Sequence, residues 1–307
     1  ALVAILPGEF LNRSLLGFTD HHVAESLFTT TTILFLILAV KKARERQISF
    51  THLLHPRHSR LTSPLKGEEQ GEGGKIIKPL IYTLLAGIFL GIYLLTWVGG
   101  LMLVFIIFAW LVIQFIIDHL KGKPTDYLCI IGATSFLIAS IISLPLSPTT
   151  WLSTIQHVSL IIAIVTPLVL SGISWLMRRK AIKPAYYPLA LLGLAGIAFA
   201  VFHAANPSLL HSMLSRFTIF TPHGAALTIL EVHPLLLPYG HFSLKIAWLN
   251  FTTAFFISFI AFGWLVYHNI KQESADKTLF LIWSLIMLIA VLGRRRFSYY
   301  YAINAAL

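Results

Sequence analysis

The chain has 307 residues, of which 57% are apolar and only 11% are charged, whereas soluble domains average about 25% charged residues. With a mean hydropathy of +0.80, this composition excludes an ordinary soluble enzyme, a disordered chain and a nucleic-acid-binding domain, and it predicts a polytopic membrane protein. The net charge of +11 is therefore attributed to loops on the cytoplasmic side of a membrane, with no nucleic acid as a partner.

Apolar stretches of about 20 residues, the length that spans a bilayer as a helix, recur along the whole chain. They predict an all-α fold, a polytopic transmembrane helical bundle of eight or nine spans. Eight stretches are clear, and a ninth helix is expected to begin at Phe297. The eight predicted spans are residues 26–40, 76–95, 100–117, 127–146, 155–177, 184–203, 245–268 and 278–293.

The basic residues predict how these spans are oriented. Of the 23 Lys and Arg residues, 17 fall in loops on one side, and that side is assigned to the cytoplasm because cytoplasmic loops carry the excess of positive charge. We therefore expect a multi-pass protein of the cell membrane, with residues 204–244 as a long extracytoplasmic loop. The loops assigned to the cytoplasm are residues 41–79, 118–126, 178–183 and 269–277.

The same pattern predicts the organisation of the chain. Residues 1–25 are expected to form an extracytoplasmic segment ahead of a transmembrane domain at 26–307. Residues 55–75 are rich in Gly, Pro and Glu, a composition typical of a disordered insertion, here on the cytoplasmic side. The chain begins with Ala1 rather than Met and ends inside an apolar stretch, so it is expected to be part of a larger protein.

One group of polar residues lies just before the first predicted span, around Asp20 and His22. In an extended segment, residues i and i+2 point the same way, so both side chains could reach one cation on the outer face. A carboxylate with a single imidazole suits Mg²⁺ or Mn²⁺ better than a structural zinc ion. The alternative is a helix N-cap, with Thr19 or Asp20 as the cap and Glu25 in the first turn near the positive end of the helix dipole.

Two further features fall on the predicted outer side. Glu231 is the only acid of the loop 204–244, and a long loop on a rigid scaffold commonly covers a site; the alternative is a solvated carboxylate. Arg294, Arg295 and Arg296 oppose the positive-inside trend unless one span is misplaced. Guanidinium groups bind phosphate bidentately, so a pyrophosphate at the outer membrane surface is an expected partner of these three arginines.

Four segments together resemble the catalytic subunit of oligosaccharyltransferases, in its archaeal and bacterial form. Residues 13–25 resemble the second acidic motif of that family, and residues 93–100 resemble its helical hairpin. Residues 228–231 look like its Thr-Ile-x-Glu motif, and residues 296–300 look like the segment that carries its arginine for the lipid phosphate. The order and spacing of all four fit, and only the insertion at 55–75 lies outside the resemblance.

The resemblance implies a function: transfer of a glycan from a lipid-linked donor, on a polyprenyl phosphate or pyrophosphate, to asparagine of an Asn-x-Ser/Thr sequon in an acceptor polypeptide. It implies Mn²⁺ or Mg²⁺ as cofactor, with Asp20 and His22 as metal ligands and Asp20 as a catalytic residue. It places His21 near the donor phosphates and Arg296, which directly precedes the Phe-Ser-Tyr-Tyr segment, on the donor phosphate. Arg294 and Arg295 are then expected to anchor to lipid headgroups. It assigns Glu231 to the acceptor amide, and the active face is extracytoplasmic.

The sequence departs from the family at two points. The family's first acidic motif and its C-terminal soluble domain with the Trp-Trp-Asp-Tyr-Gly motif have no counterpart in this chain. Three alternatives therefore stay open: another membrane glycosyltransferase that uses a polyprenyl-phosphate sugar, an inactive fragment, and a transporter. The candidate charges cluster near one surface rather than at mid-membrane, which argues against a transporter.

Overall fold

The computed structural model describes residues 8–14, 21–50, 72–145, 151–220 and 230–307. Within these residues the regular structure is helical. The α-helices are α1 (Glu9–Ser14), α2 (His22–Glu45), α3 (Glu72–Thr96), α4 (Leu101–Leu120), α5 (Asp126–Ser143), α6 (Trp151–Arg179), α7 (Tyr187–Ala205), α8 (Pro207–Leu214), α9 (Lys245–Phe251), α10 (Ala254–Lys271), α11 (Ala275–Gly293) and α12 (Ser298–Ala306).

Eight helices of the described residues are long and apolar enough to cross a membrane. They correspond one to one with the predicted spans, which confirms an all-α polytopic membrane protein. The ninth predicted helix is also present, as the nine-residue α12 that begins one residue after Phe297. The eight are His22–Glu45, Ile77–Thr96, Leu101–Leu120, Asp126–Ser143, Thr154–Arg179, Pro184–Ala205, Ala254–Lys271 and Ala275–Gly293.

The span predicted at 245–268 is wrong in one respect, because these residues do not form one continuous helix. The chain forms α9, breaks, and starts again as α10 at Ala254. At the break Thr252 has a φ of 51°, in the left-handed region that a β-branched residue rarely adopts. The membrane-crossing helix is α10, and α9 is a separate short helix that precedes it.

Two predicted loops also differ from the structure. The loop at 204–244 is partly helical: Asn206 caps α8 by accepting the Leu209 N–H at 3.0 Å, and Pro207 occupies the first helical position, which it favours. Short 3₁₀ turns follow at Ser215–Phe220, Leu230–Val232 and Pro238–Gly240. Of the insertion predicted at 55–75, residues 72–75 belong to α3, and the remainder lies outside the described residues.

The chain divides into two compact units, of which residues 31–197 form one. In this unit α5 packs against α3 and α6, and α4 packs against α6. Gly87 and Gly91 of α3 lie directly under Ile138 and Ile142 of α5, where a Cβ on either glycine would come within 2.8 Å of an isoleucine Cβ. Small residues at such a crossing bring helix backbones close together in membranes.

Asp118 lies in this unit and corrects a prediction. The sequence placed it in a cytoplasmic loop, but it belongs to α4 and has no exposed surface. Its carboxylate accepts hydrogen bonds from Tyr127 at 2.6 Å and Gln114 at 2.9 Å, and Arg44 lies 3.9 Å away. These partners compensate the cost of burying the charge.

Residues 1–30 and 198–307 form the second unit. Helix α12 lies at its centre and packs against α1, α9, α10 and α11. Phe251, Phe255 and Tyr301 form an aromatic cluster there, with the rings of Phe251 and Tyr301 perpendicular at 5.5 Å. This core fixes α12, whose first residues face the candidate site.

Candidate functional site

The start of α2 carries the acidic segment that the sequence singled out. In the first turn of α2 the Glu25 N–H donates to the His21 carbonyl at 2.9 Å, and Thr19, the other predicted cap, lies outside the described residues. Glu25 lies in the first turn, as predicted. His22 is helical, so the extended segment expected through this residue is absent there; Asp20 lies outside the described residues.

Glu25 is completely buried and holds the segment to α12. Its Oε2 atom accepts hydrogen bonds from the hydroxyls of Tyr299 at 2.5 Å and Tyr300 at 2.7 Å. His21 Nε2 lies 2.9 Å from the other carboxylate oxygen. A buried carboxylate requires such donors, so this acid anchors the helix start rather than facing solvent.

His22 is buried beside the same tyrosine. Its ring lies 4.7 Å from the Tyr299 ring in an edge-on arrangement and 4.6 Å from the ring of His21. His21 itself has about half of its side chain exposed. The two neighbouring histidines therefore differ: His22 is held within the protein, while His21 remains accessible to a ligand.

The Arg13 side chain connects the acidic segment to the loop acid. Its Nη1 atom lies 2.8 Å from His22 Nε2, its Nη2 atom contacts Glu231 Oε1, and its Nε atom donates to Glu9 Oε2 at 3.0 Å. Burial lowers the pKa of the Arg13 guanidinium, but the hydrogen bonds and charges of Glu9 and Glu231 outweigh burial and raise the pKa above its ordinary value. Arg13 is therefore always the donor.

The turn that carries Glu231 is held by the chain around the three arginines. The 3₁₀ turn Leu230–Val232 packs against the turn Arg295–Phe297. The Arg295 N–H donates to the His233 carbonyl at 2.8 Å, and the Leu235 N–H reaches the Leu292 carbonyl at 3.3 Å. Glu231 and Arg296, which the sequence assigned to acceptor and donor, thus lie on adjoining turns.

The first two arginines bind protein groups, and their expected role as anchors to lipid headgroups stays a prediction. Arg294 Nη2 donates to the Thr218 carbonyl at 2.8 Å, and Arg295 Nη2 donates to Glu9 Oε1 at 2.9 Å. Both side chains therefore tie loop and helix segments together. Arg296 is partly buried in the same turn, and its assignment to a phosphate stays a prediction.

A cavity of about 330 Å³ lies beside Arg13 and His22, between α1, α2 and α12. Its walls are mostly apolar and include Leu27 and Ile303. The volume is at the lower end of the range for ligand pockets. The cavity combines mostly apolar walls with the positive charge of Arg13.

The described residues contain no group of three or more His, Cys, Asp or Glu side chains arranged to hold a metal ion. Of the two predicted ligands, only His22 can be described. Because Arg13 can only donate, His22 Nε2 must carry a lone pair, and the unprotonated imidazole is the form that binds metals. That lone pair already accepts the Arg13 hydrogen bond, so His22 Nε2 fits a metal ligand only once Arg13 moves away, and Asp20 lies outside the described part of the chain.

Comparison with known families decides what this arrangement belongs to. The family model described as oligosaccharyl transferase STT3, N-terminal, matches residues 1–268. The chain belongs to the STT3 family. This membership confirms the resemblance drawn from the four segments, and it favours a glycosyltransferase over a transporter.

Relatives of this STT3-family chain are known from archaea. It is 28% identical over 317 residues to dolichyl-phosphooligosaccharide-protein glycotransferase 3 of Archaeoglobus fulgidus, an alignment of 99% of this chain and 34% of the relative. The structure of oligosaccharyltransferase AglB from A. fulgidus, in complex with an inhibitory peptide and a dolichol-phosphate, matches with a TM-score of 0.81 at 27% identity, over 99% of this chain and 34% of that one.

A second A. fulgidus structure, an oligosaccharyltransferase tethered to an acceptor peptide with the NVT sequon, matches with a TM-score of 0.76 at 26% identity, again over 99% of this chain and 33% of that one. The chain thus spans about a third of the length of these relatives.

Sequence reasoning missed three residues of this site: Arg13, Tyr299 and Tyr300. Arg13 and the tyrosines stand inside the segments that carried the resemblance, but no spacing rule connects them to Glu25 or Glu231. The one available signal was the tyrosine pair itself, since two adjacent hydroxyl donors in an apolar stretch indicate a buried acceptor.

Proposed function

We propose that the protein transfers a glycan from a lipid-linked donor, on a polyprenyl phosphate or pyrophosphate, to asparagine in Asn-x-Ser/Thr sequons. The observation that carries this proposal is the contact of one guanidinium, that of Arg13, with both His22 and Glu231. Two motifs separated by most of the chain meet there, as a site for donor and acceptor requires. The family membership, and the relatives bound to dolichol-phosphate and to a sequon peptide, support the same assignment.

In the proposed reaction the asparagine amide nitrogen attacks the anomeric carbon of the donor glycan. A carbon–nitrogen bond forms, the bond from that carbon to the phosphate oxygen breaks, and the nitrogen releases one proton. Glu231 would accept hydrogen bonds from the amide NH₂ and orient this poor nucleophile. Its side chain is 43% exposed, which leaves it accessible to a peptide.

Arg296 and His21 would serve the donor side. A guanidinium that binds the phosphate stabilises the charge that develops as the phosphate leaves. The half-exposed His21 would add a hydrogen bond to a phosphate oxygen. The mostly apolar cavity beside Arg13 offers space for the adjoining hydrocarbon of the lipid carrier.

Asp20 and His22 would hold Mn²⁺ or Mg²⁺. When bound, such a cation stabilises negative charge on the leaving phosphate. Binding of the cation by His22 Nε2 would require Arg13 to give up its contact with this nitrogen.

The transfer is tested with the natural protein in membranes, a lipid-linked oligosaccharide extract and a fluorescent peptide that contains Asn-x-Thr. The matched control peptide has Gln in place of Asn. We expect a mass gain of one glycan on the first peptide only. No product with either peptide would support an inactive protein, and glycan released without peptide attachment would support another glycosyltransferase.

We further propose that the site faces the extracytoplasmic side of the cell membrane. This orientation is inferred because 17 of the 23 basic residues lie in loops assigned to the opposite, cytoplasmic side. Single cysteines at Glu231, Lys41 and Lys271 in a Cys129→Ser background test this orientation with a membrane-impermeant thiol reagent on intact cells. Position 231 is expected to label and positions 41 and 271 to stay protected. Labelling of 231 and 41 from the same side would overturn the orientation.

A further inference from the structure

Arg13 joins three segments of the candidate site through one buried guanidinium. The residue is only 7% exposed, and its three nitrogens contact Glu9, His22 and Glu231. Its Cζ atom also lies 5.6 Å from the centre of the Tyr299 ring. A planar guanidinium held on several sides fixes the directions of its partners, so Arg13 determines where the Glu231 carboxylate stands relative to His22.

The surrounding charges show which partner depends on Arg13. Arg295, Glu9, Arg13 and Glu231 form a row of alternating charges, because Arg295 donates to Glu9 and Arg13 contacts both acids. Without Arg13, Glu9 keeps its ion pair with Arg295. Glu231 would lose the cation that contacts it in the described structure, so the loss of Arg13 falls on Glu231.

The contact leaves Glu231 open to a ligand. Arg13 contacts one oxygen, Oε1, and the side chain of Glu231 remains 43% exposed. An ion pair of this kind orients a carboxylate without covering it. On the other side of the guanidinium, His22 Nε2 is held as an acceptor, so the same group sets the spacing between the loop acid and the imidazole.

We propose that Arg13 is a positioning residue. It holds the Glu231 carboxylate in the orientation that receives the acceptor amide and at a fixed spacing from the His22 imidazole. The proposal rests on the proposed function and adds a residue to it. Arg13 acts through Glu231, so its loss lowers use of the acceptor peptide more than it lowers affinity for the lipid-linked donor.

The test is a double-mutant cycle in the natural protein in lipid nanodiscs. Arg13→Gln, Glu231→Gln and the double variant are compared by kcat/KM for the sequon peptide, by KM for the donor, and by peptide affinity from fluorescence anisotropy. Arg13→Gln is expected to lower kcat/KM for the peptide by about 10- to 100-fold, the scale of a charged hydrogen bond. In the Glu231→Gln background the same substitution should cause less than a 3-fold further loss, by the coupling expected of contacting residues.

Two further variants separate positioning from general stability. Arg13→Lys keeps the positive charge but lacks the several donors of the planar guanidinium. Compared with Arg13→Gln, it should recover part of the peptide affinity and the wild-type melting temperature. Glu45→Gln removes an exposed ion pair with Lys42 and serves as the matched control, with unchanged kinetics.

Losses of Arg13→Gln and Glu231→Gln that multiply in the double variant would overturn the proposal, because Arg13 would then act independently of Glu231. Equal losses for donor and peptide, together with a lower melting temperature, would also overturn it and leave a structural role. If the wild-type protein transfers no glycan, the proposed function fails. Peptide affinity, which needs no turnover, still decides the role of Arg13: equal affinities of wild type and Arg13→Gln would overturn it.

Discussion

The hydroxyl of Tyr299 lies 2.5 Å from Oε2 of Glu25, a carboxylate without exposed surface. Tyr300 donates to the same oxygen at 2.7 Å, so consecutive residues of α12 both bind the acid in the first turn of α2. The contact links the acidic segment to the segment after the arginines. It also fixes His21 and His22, which precede Glu25 by one turn of helix.

Removal of these hydroxyls should therefore destabilise the site. Tyr299→Phe is expected to lower the free energy of unfolding by about 1.5–3 kcal/mol, because it takes a donor from a buried charged group. The matched control is Tyr301→Phe, which removes a 2.8 Å bond to the neutral Ser258 hydroxyl and should cost about 0.5–1.5 kcal/mol. Thermal unfolding in detergent measures both, and equal shifts would show that the Glu25 contact stabilises no more than a hydrogen bond between neutral hydroxyls.

Gly293 is predicted to be essential for docking of the loop that follows α8. A Cβ at this position would lie 2.2 Å from the Phe220 carbonyl oxygen, so Gly293→Ala must displace the turn Ser215–Phe220. We expect a loss of about 1–3 kcal/mol from overpacking and faster proteolysis of the loop.

The control is Gly263→Ala in α10, where a Cβ meets no atom within 4 Å. This variant should keep wild-type stability or gain slightly, because alanine favours a helix by about 1 kcal/mol. Similar proteolysis rates for the two variants would show that the close contact at Gly293 does not hold the loop.

The sequence predicted the spans because hydropathy reports the bilayer directly, residue by residue. It did not predict the break at Thr252, since a threonine in an apolar stretch carries no signal for a positive φ. The same limit applies to the arginines. Whether Arg295 binds lipid or Glu9 depends on residues 286 positions apart, and such a pairing is set by tertiary packing rather than by local pattern.

For the candidate site, too, the sequence identified some residues and missed others. His22 and Glu231 were found because they stand in short motifs, whereas Arg13, which joins them, was not. Its partner Glu231 is 218 positions away, and a lone arginine in a short helix is compatible with many roles. Motifs therefore indicated the candidate groups, and the structure supplied the side chain that brings two of them together.

The metal role of Asp20 can be tested without turnover. If Asp20 and His22 hold the cation, Asp20→Ala should abolish Mn²⁺ binding in an electron paramagnetic resonance titration, because a hard cation requires several oxygen ligands. Loss of a carboxylate that caps a helix costs only about 1 kcal/mol, so the protein should stay folded even with Asp20 as a cap. Asp276→Ala, at the start of α11, is the control and should bind Mn²⁺ normally. Unchanged Mn²⁺ affinity in Asp20→Ala would favour a role at the helix end.

The last prediction separates the donor residue from the acceptor residue. Arg296→Ala should weaken use of the lipid-linked donor by about 1.5–3 kcal/mol, the scale of a charge-assisted hydrogen bond. Arg296→Lys should recover this only in part, because the ammonium lacks the bidentate fork. Glu231→Gln keeps the shape of the side chain but removes its charge, so turnover should fall while the donor KM stays near the wild-type value.

Steady-state kinetics on the natural protein, with donor and peptide varied in turn, measures both effects, and Arg216→Ala serves as a control for loss of positive charge in the same loop region. The adjoining turns that carry Glu231 and Arg296 make the contrast a strict one, because a substitution that only loosened the loop would affect both substrates alike. Equal losses of donor affinity from Arg296→Ala and Glu231→Gln would mean that the two residues share one role. No loss from either would leave Arg296 as a structural cation and Glu231 as a solvated partner of Arg13.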